Sequence, residues 1–440
     1  MRTPIVDFLN GFVSKSPTRM HMPGHKGAYG YERDITEVAG ADSLYHADGI
    51  ILESEKYAGE LFSADTYFSA EGSSLSIRSM LYLASLLAKS NGKRNKILAA
   101  RNVHKSFLSA AALVDIEVDF FGYGEDYLSA QITPRELSEI IDSEDVPPVA
   151  VYITSPDYLG RMQDVKGIAD ACHERGILLL VDNAHGAYLA FLERSQHPIA
   201  LGADMCADSA HKTLPALTGG AYLHINKSAP AILSKNAKAA LALFGSTSPS
   251  YLILESLDRL NETVDDAFRS RLSSVARLVS NTKAILSDIG YKVIDGEPLK
   301  ITIDTTAYGY KGCDIGRILE ESNIYPEFYD TDYLVLMLSA DNTEDDLKAL
   351  VRVMKGIPKR APLQLDKVRL KKPCRRVSIR EAMLSPREKV NVDCTLGKIL
   401  ADGALSCPPA VPILVPGEVI DESAIIAFKY YGYDKILVLK

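Results

Sequence analysis

The sequence predicts an α/β protein built on a mostly parallel sheet, and three observations carry that prediction. Between about residues 65 and 225, short apolar runs alternate with segments of helical periodicity. The runs are apolar throughout, the pattern of strands covered on both faces by helices. Polar and titratable residues gather directly after the runs, where ligands bind on such sheets.

Taken in order, residues 67–70 read as a strand and 74–89 as a helix with Ile77, Met80, Leu81 and Ala84 on one face. Residues 97–100 form the next strand, followed by a helix over 104–113 and a strand over 116–121. Thr133 caps a helix that has Pro134 at its first position and Glu136 at its third. A strand over 149–154, a helix over 165–175 and a strand over 177–182 follow. Residues 203–207 and 221–225 are two further strands, joined by too little chain for a full helix, so they are expected to run antiparallel. Residues 250–286 read as one long helix, with Leu252, Leu254, Leu257 and Leu260 apolar. A smaller α+β unit comes next, with strands over 299–304 and 333–338 and helices over 314–321 and 343–354. A basic linker over 359–376 reads as a solvated face, and the tail over 377–440 holds short strands and a Pro-rich run at 407–417. The domains expected are an arm (1–30), a large domain (31–270), a small domain (271–360) and a tail domain (361–440).

A chain of 440 residues suggests about three domains and can bury a large core. Its 49 Lys+Arg against 57 Asp+Glu leave a net charge of -8, which argues against a nucleic-acid partner. The six cysteines include no C-x-x-C pair, so no zinc or redox motif is supported, and Cys172 and Cys206 read as core thiols. The first 16 residues are amphipathic, with Ile5, Phe8, Leu9 and Phe12 at helical spacing, and Asp7 and Asn10 interrupt any signal-peptide core. The longest purely apolar run, 177–181, is far too short to span a bilayer. A cytoplasmic protein with no membrane partner is expected. His21 and His25 have metal-like spacing, but Pro23-Gly24 breaks any helix that would align them and no third ligand is evident, so no metal is expected.

Three strand ends carry the chemistry. After the first strand, Glu71-Gly72-Ser73-Ser74 opens a helix, and such a turn offers N–H groups and hydroxyls to a phosphate. Ser is equally an ordinary cap. After the strand ending at Val181 comes Asp182, an acid that is costly to bury without a charged or donor partner. After the next strand comes Asp208-Ser209-Ala210-His211-Lys212, which places a lysine at the mouth of the sheet. Desolvation there can turn the lysine into an amine nucleophile. A phosphate cradle, a strand-end Asp and a strand-end Lys together are what pyridoxal phosphate requires.

With these residues in view, the sequence resembles the bacterial ornithine/lysine/arginine decarboxylases, pyridoxal-phosphate enzymes of the aspartate-aminotransferase-like fold (fold type I). The matching stretches are 19–27 (RMHMPGHKG), 41–49 (ADSLYHADG), 101–106 (RNVHKS), 181–187, 209–214, 246–251 (STSPSY), Pro408-Pro409 and 415–418 (VPGE). The resemblance implies a mostly parallel seven-stranded sheet with smaller α+β domains after it, in a short form without the amino-terminal wing of the family's long members. It implies that Lys212 is the Schiff-base lysine and Asp182 the partner of the pyridine nitrogen. His104 would stack on one face of the cofactor ring and Ala184 pack on the other. Ser73, Ser74 and Ser209 would bind the phosphate, with Thr247 or Ser248 reaching the phosphate of a neighbouring subunit in a homodimer with shared sites. His211 and His185 would lie near the substrate carboxylate. The activity implied is decarboxylation of arginine, lysine or ornithine to the amine, in polyamine biosynthesis or proton consumption. Four positions depart from the family pattern: Glu71, Leu75, Asp157 and Tyr188. Glu71 and Asp157 add negative charge, and with Tyr188 and the tail's Glu418 they are candidates for the substrate's cationic end. Another pyridoxal-phosphate reaction, such as an aminotransferase or lyase, and a non-catalytic binding or regulatory protein stay open.

Overall fold

The structure is a computed structural model that describes residues 2–124, 127–365, 372–403 and 409–440. Cys407 and Pro408 of the tail motif, and part of the basic linker, lie outside the described residues.

The chain opens with α1 (Pro4–Ser14), α2 (Ile50–Phe62), β1 (Ala64–Ser69) and α3 (Gly72–Ser90). It continues with β2 (Lys96–Ala100), α4 (Lys105–Val114), β3 (Glu117–Phe121), α5 (Pro134–Asp142) and β4 (Ala150–Thr154). Next come α6 (Val165–His173), β5 (Leu178–Asp182), β6 (Met205–Asp208), the single turn α7 (Ala210–Thr213) and β7 (Ala221–Asn226). Three helices follow, α8 (Ala231–Phe244), α9 (Tyr251–Thr263) and α10 (Asp266–Ile289). The remainder contains β8 (Lys292–Ile294), β9 (Lys300–Asp304), α11 (Gly312–Glu321), β10 (Phe328–Tyr329), β11 (Tyr333–Met337) and α12 (Glu344–Gly356). It ends with α13 (Ile379–Leu384), β12 (Arg387–Asn391), α14 (Glu422–Tyr430) and β13 (Lys435–Leu439).

Seven strands form one mostly parallel sheet in the order β1-β7-β6-β5-β4-β2-β3. β5 and β6 are parallel, with Asp182 opposite Ala207. β6 and β7 are antiparallel, as the short connection between them requires. β1 also pairs antiparallel with β7, at the sheet edge. The α5 capping box forms as expected, with Thr133 and Glu136 exchanging hydrogen bonds.

Two expectations are corrected. The stretch 250–286 is two helices, because Asp265 restarts the chain: its Oδ1 accepts the N–H of Phe268 at 2.8 Å, as an N-cap does. The tail holds two helices, α13 and α14, besides its strands.

By contact density the chain divides into two compact units. The first comprises Met1–Ile97, Thr133–Ile153 and Asp164–Arg269, and the second Leu98–Ile132, Thr154–Gln163 and Ser270–Lys440. In the first, α1 is tied down by Asp258, which accepts the N–H of Val6 at 2.9 Å and the hydroxyl of Ser54. Cys172 and Cys206 are fully buried there, as read from the sequence. In the second unit, β10-β11-β9-β8 form an antiparallel sheet. β12 and β13 pair over a core containing Leu400, Ile413, Ile420 and Phe428. The described part of the basic linker is not wholly solvated: Arg360 lies 4.2 Å from the ring centre of Tyr310, and Arg375 donates to the carbonyl of Val118 at 2.6 Å. Among the described residues no helix is long and apolar enough to cross a membrane.

Candidate active site

The first unit supplies a cradle where β1 meets α3. Gly72 opens α3 with φ +71°, a left-handed conformation that favours glycine, and its N–H donates to the carbonyl of Gly219 at 2.7 Å. Gly219, at φ +100°, is itself left-handed, and a Cβ there would lie 3.1 Å from the carbonyl oxygen of Ala70. Two glycines thus let the turn before β7 close on the start of α3. Ser73 follows, and its Oγ is 2.8 Å from the hydroxyl of Ser209 at the end of β6. Ser74 stands beside it in the first turn of α3. Helix α3 has 19 residues, so its N-terminus carries a substantial positive dipole end next to these hydroxyls. Glu71 does not cap α3; its Oε1 accepts the N–H of Ser246 at 2.5 Å. That contact fixes the start of the segment bearing Thr247 and Ser248, both exposed.

At the end of β5, Asp182 is 2% exposed. Its Oδ1 accepts the N–H of Ala184 at 3.1 Å and its Oδ2 the hydroxyl of Tyr152 at 3.2 Å. Among the described residues no cationic side chain pairs with it. Burial pushes this carboxyl up, while the Ala184 N–H, the more distant charge of Lys212 and Tyr152 pull it back. A carboxylate in that position fits a cationic ring nitrogen, which would supply the missing partner. Lys212 follows Ser209 on the single turn α7 and is half-buried. Beside it, Nδ1 of His211 donates to the carbonyl of Gly220 at 2.9 Å, which leaves Nε2 as the acceptor of the neutral ring. Burial lowers the His211 pKa and favours that neutral form. His185 and Tyr188 are buried in the turn after Asp182, Tyr188 completely, and Ala184 is half-buried. Leu75 is fully buried in the apolar face of α3, so this departure from the family pattern is absorbed by packing.

The second unit holds the remaining candidates. His104 is the N-cap of α4, and its Nδ1 accepts the N–H of Ser106 at 3.2 Å. Asp157 is fully buried in a tight turn, accepting the Ser129 hydroxyl at 2.6 Å and the Arg161 N–H at 2.9 Å. Its pKa is pushed up to about 6 by burial, against the pull of those donors and of Lys300. Glu418 is 1% exposed; its Oε2 lies 2.9 Å from Arg101 and 2.6 Å from the Val415 N–H.

Comparison with known proteins decides the family. The model of the Orn/Lys/Arg decarboxylase major domain matches residues 3–291, and that of the family's C-terminal domain matches 372–433. The chain belongs to the Orn/Lys/Arg decarboxylase family. Its activity is accordingly decarboxylation of a basic amino acid. Among relatives of this decarboxylase, the arginine decarboxylase of Halalkalibacterium halodurans is 28% identical over 463 residues, covering 96% of this chain and 92% of the relative. The arginine decarboxylase of Bacillus subtilis is 27% identical over 465 residues, with 96% and 92% covered. In fold, the chain is similar to the lysine decarboxylase of Francisella novicida, with a TM-score of 0.81, 17% identity, and 100% of this chain and 81% of that one covered. A NifS-like protein shares the fold more loosely, at TM-score 0.56, 15% identity, and 70% and 86% covered. Family and fold imply pyridoxal phosphate for this decarboxylase.

Sequence reasoning missed Tyr152, Asn183 and the histidines His197 and His224. Tyr152 lies inside a strand, on the side of β4 that reaches Asp182, and strand alternation alone does not single it out.

Proposed function

We propose that the chain binds pyridoxal phosphate through Lys212 and Asp182 and decarboxylates arginine, lysine or ornithine, with arginine first among them. The observation that carries the reading is Asp182, a sealed carboxylate with no ion pair among the described residues, on the strand beside the one that leads to Ser209 and Lys212. The curated relatives named arginine decarboxylase support arginine as the first substrate.

In this reading Ser73, Ser74 and Ser209 hold the phosphate at the positive end of α3. Asp182 would hold a proton on the ring nitrogen, with the Ala184 N–H and Tyr152 hydroxyl keeping its carboxylate oriented. When bound, the cofactor supplies an electron sink for the bond that breaks at the substrate's α carbon. Lys212 would tether the cofactor, and its amine would be placed to return the proton that replaces the lost carboxylate. His211, neutral and tied to Gly220, offers Nε2 to the substrate side, and His185 lies nearby on the turn after Asp182. The resemblance would give His104 the stacking role on the cofactor ring. Thr247 or Ser248, exposed in a single chain, would reach the phosphate of a second copy, so the working unit proposed is a homodimer, and its proposed location is the cytoplasm. Glu418 is engaged by Arg101 and Asp157 by Ser129 and Arg161, while Glu71 accepts one backbone N–H through Oε1, so Glu71 is the acid proposed for the cationic end of the substrate, with groups contributed by the partner as the alternative.

The test is incubation with pyridoxal phosphate and each of the three amino acids, measuring carbon dioxide and amine. Matched release of both from at least one is expected. A keto acid without carbon dioxide would make the protein an aminotransferase, and no reaction with any of the three would remove the reading.

A further inference from the structure

The first unit contains a second buried carboxylate that the proposed chemistry does not use. Asp208 closes β6 directly before Ser209, and it is 0% exposed. Donors surround both its oxygens. Oδ2 lies 2.9 Å from Nε2 of His197 and 3.3 Å from Nε2 of His224. Oδ1 accepts from Nδ2 of Asn183 at 2.7 Å and from Sγ of Cys206 at 3.3 Å.

Three ligating atoms this close, His197, Asp208 and His224 within 4.8 Å of one another, could suggest a metal. The tautomers argue otherwise. Nδ1 of His197 accepts the Ile199 N–H at 3.4 Å, so the neutral ring carries its proton on Nε2, facing Asp208. Nδ1 of His224 meets the Thr66 hydroxyl at 2.9 Å, and with that hydroxyl donating, Nε2 again carries the proton. Phe62 covers both imidazoles, with ring centres 5.4 Å and 4.4 Å away. The cluster is a carboxylate surrounded by N–H and S–H donors.

A sealed anion of this kind gives little net stability over apolar packing, so its placement calls for a purpose. Asn183 provides one. It directly follows Asp182, and it is bound to the end of β6 twice: its side chain to Asp208, and its N–H to the Ala207 carbonyl at 3.0 Å. We propose that Asp208 is a positioning residue, locking the turn after β5 that carries Asp182 to the turn after β6 that carries Ser209 and Lys212. Its donors hold the carboxylate ionised, and its charge adds to the burial that makes Asp182 demand a cation. This inference rests on the assignment of Asp182, Ser209 and Lys212 as cofactor residues.

The experiment measures the dissociation constant of pyridoxal phosphate by absorbance titration, alongside the thermal midpoint of the apoprotein, for the full chain and for Asp208→Asn and Asn183→Ala. Asn183→Ala leaves the contacts of Asp208 to His197, His224 and Cys206 in place, keeps the backbone bond to Ala207, and removes the side-chain link from Asp208 to the Asp182 turn. Each variant is expected to bind the cofactor about tenfold more weakly or worse, with Asn183→Ala close to the wild-type apo midpoint. Cofactor affinity within twofold of wild type in a folded Asn183→Ala protein overturns the proposal, even if Asp208→Asn does not fold. So does stoichiometric transition metal in the purified wild type, which would make the histidines ligands instead of donors. If the wild type takes up no pyridoxal phosphate, it is the cofactor assignment that fails, and the titration separates the two cases.

Discussion

Asp182 and Glu418 are both almost sealed from water, at 2% and 1% exposure, yet their surroundings are opposite. Glu418 has a guanidinium 2.9 Å away and a backbone N–H on the same oxygen. Asp182 has a tyrosine hydroxyl, one N–H and, among the described residues, no ion pair, only the more distant charge of Lys212. Burying a carboxylate is costly unless it is paired. Glu418 meets that requirement within its own unit and needs no ligand. Asp182 does not, and the partner it lacks is one that a protonated ring nitrogen can supply. The contrast separates an acid paired within the fold from one without an ion pair, which the proposed reading assigns to the cofactor, where burial alone would rank them together.

The largest effect expected is at the tether. Lys212→Ala should reduce carbon dioxide release by about ten-thousandfold or more and abolish reductive trapping of the cofactor, read by absorbance after borohydride treatment. Asp182→Asn keeps the shape but not the charge. It should reduce kcat/KM by about a hundredfold or more without unfolding the protein, and wild-type turnover in this variant would erase the distinction drawn above. Glu418→Gln should act on stability instead. With Arg101 left buried beside a neutral amide, urea denaturation should show a loss of about 3–5 kcal/mol, while the double change Arg101→Met with Glu418→Leu recovers most of it.

The smallest effect concerns Asp157 and depends on pH. Its folded pKa, raised to about 6, exceeds its ordinary value, so the folded state holds this proton more tightly than the unfolded one. Stability from that proton is complete below about pH 4 and is lost as the pH rises to about 6. Asp157→Asn should therefore stabilise the protein by about 2 kcal/mol at pH 7 and by nothing near pH 3.5, measured as denaturation midpoints at the two values.

Much of the fold was legible because its signals are local. Thr133-Pro134 and Glu136 write a helix start into four consecutive residues, and the closely spaced last strands of the large sheet dictate an antiparallel return. Helix α2 escaped because its inner face is partly polar: Ser54 and Glu55 are buried there beside Ile51 and Ala58, so no apolar stripe shows. The division between α9 and α10 depends on one aspartate side chain at a position that otherwise continues the helical pattern. Asp182 and Lys212, the residues of the proposed site, could be singled out because strand ends are where ligands bind on such sheets. The commitment of Glu418 to Arg101 could not, since 317 residues separate the pair and only the folded chain brings them together. Asp208 was passed over for a similar reason, because its donors come from three separate segments.

The central claim is that Lys212 and Asp182 form one cofactor site. Borohydride reduction of the protein with pyridoxal phosphate, followed by proteolysis and mass spectrometry, tests it most directly. A single pyridoxyl group is expected on the peptide containing Lys212, much reduced in Asp182→Asn at limiting cofactor. Label on other lysines, or equal labelling in the presence and absence of Asp182, would contradict it.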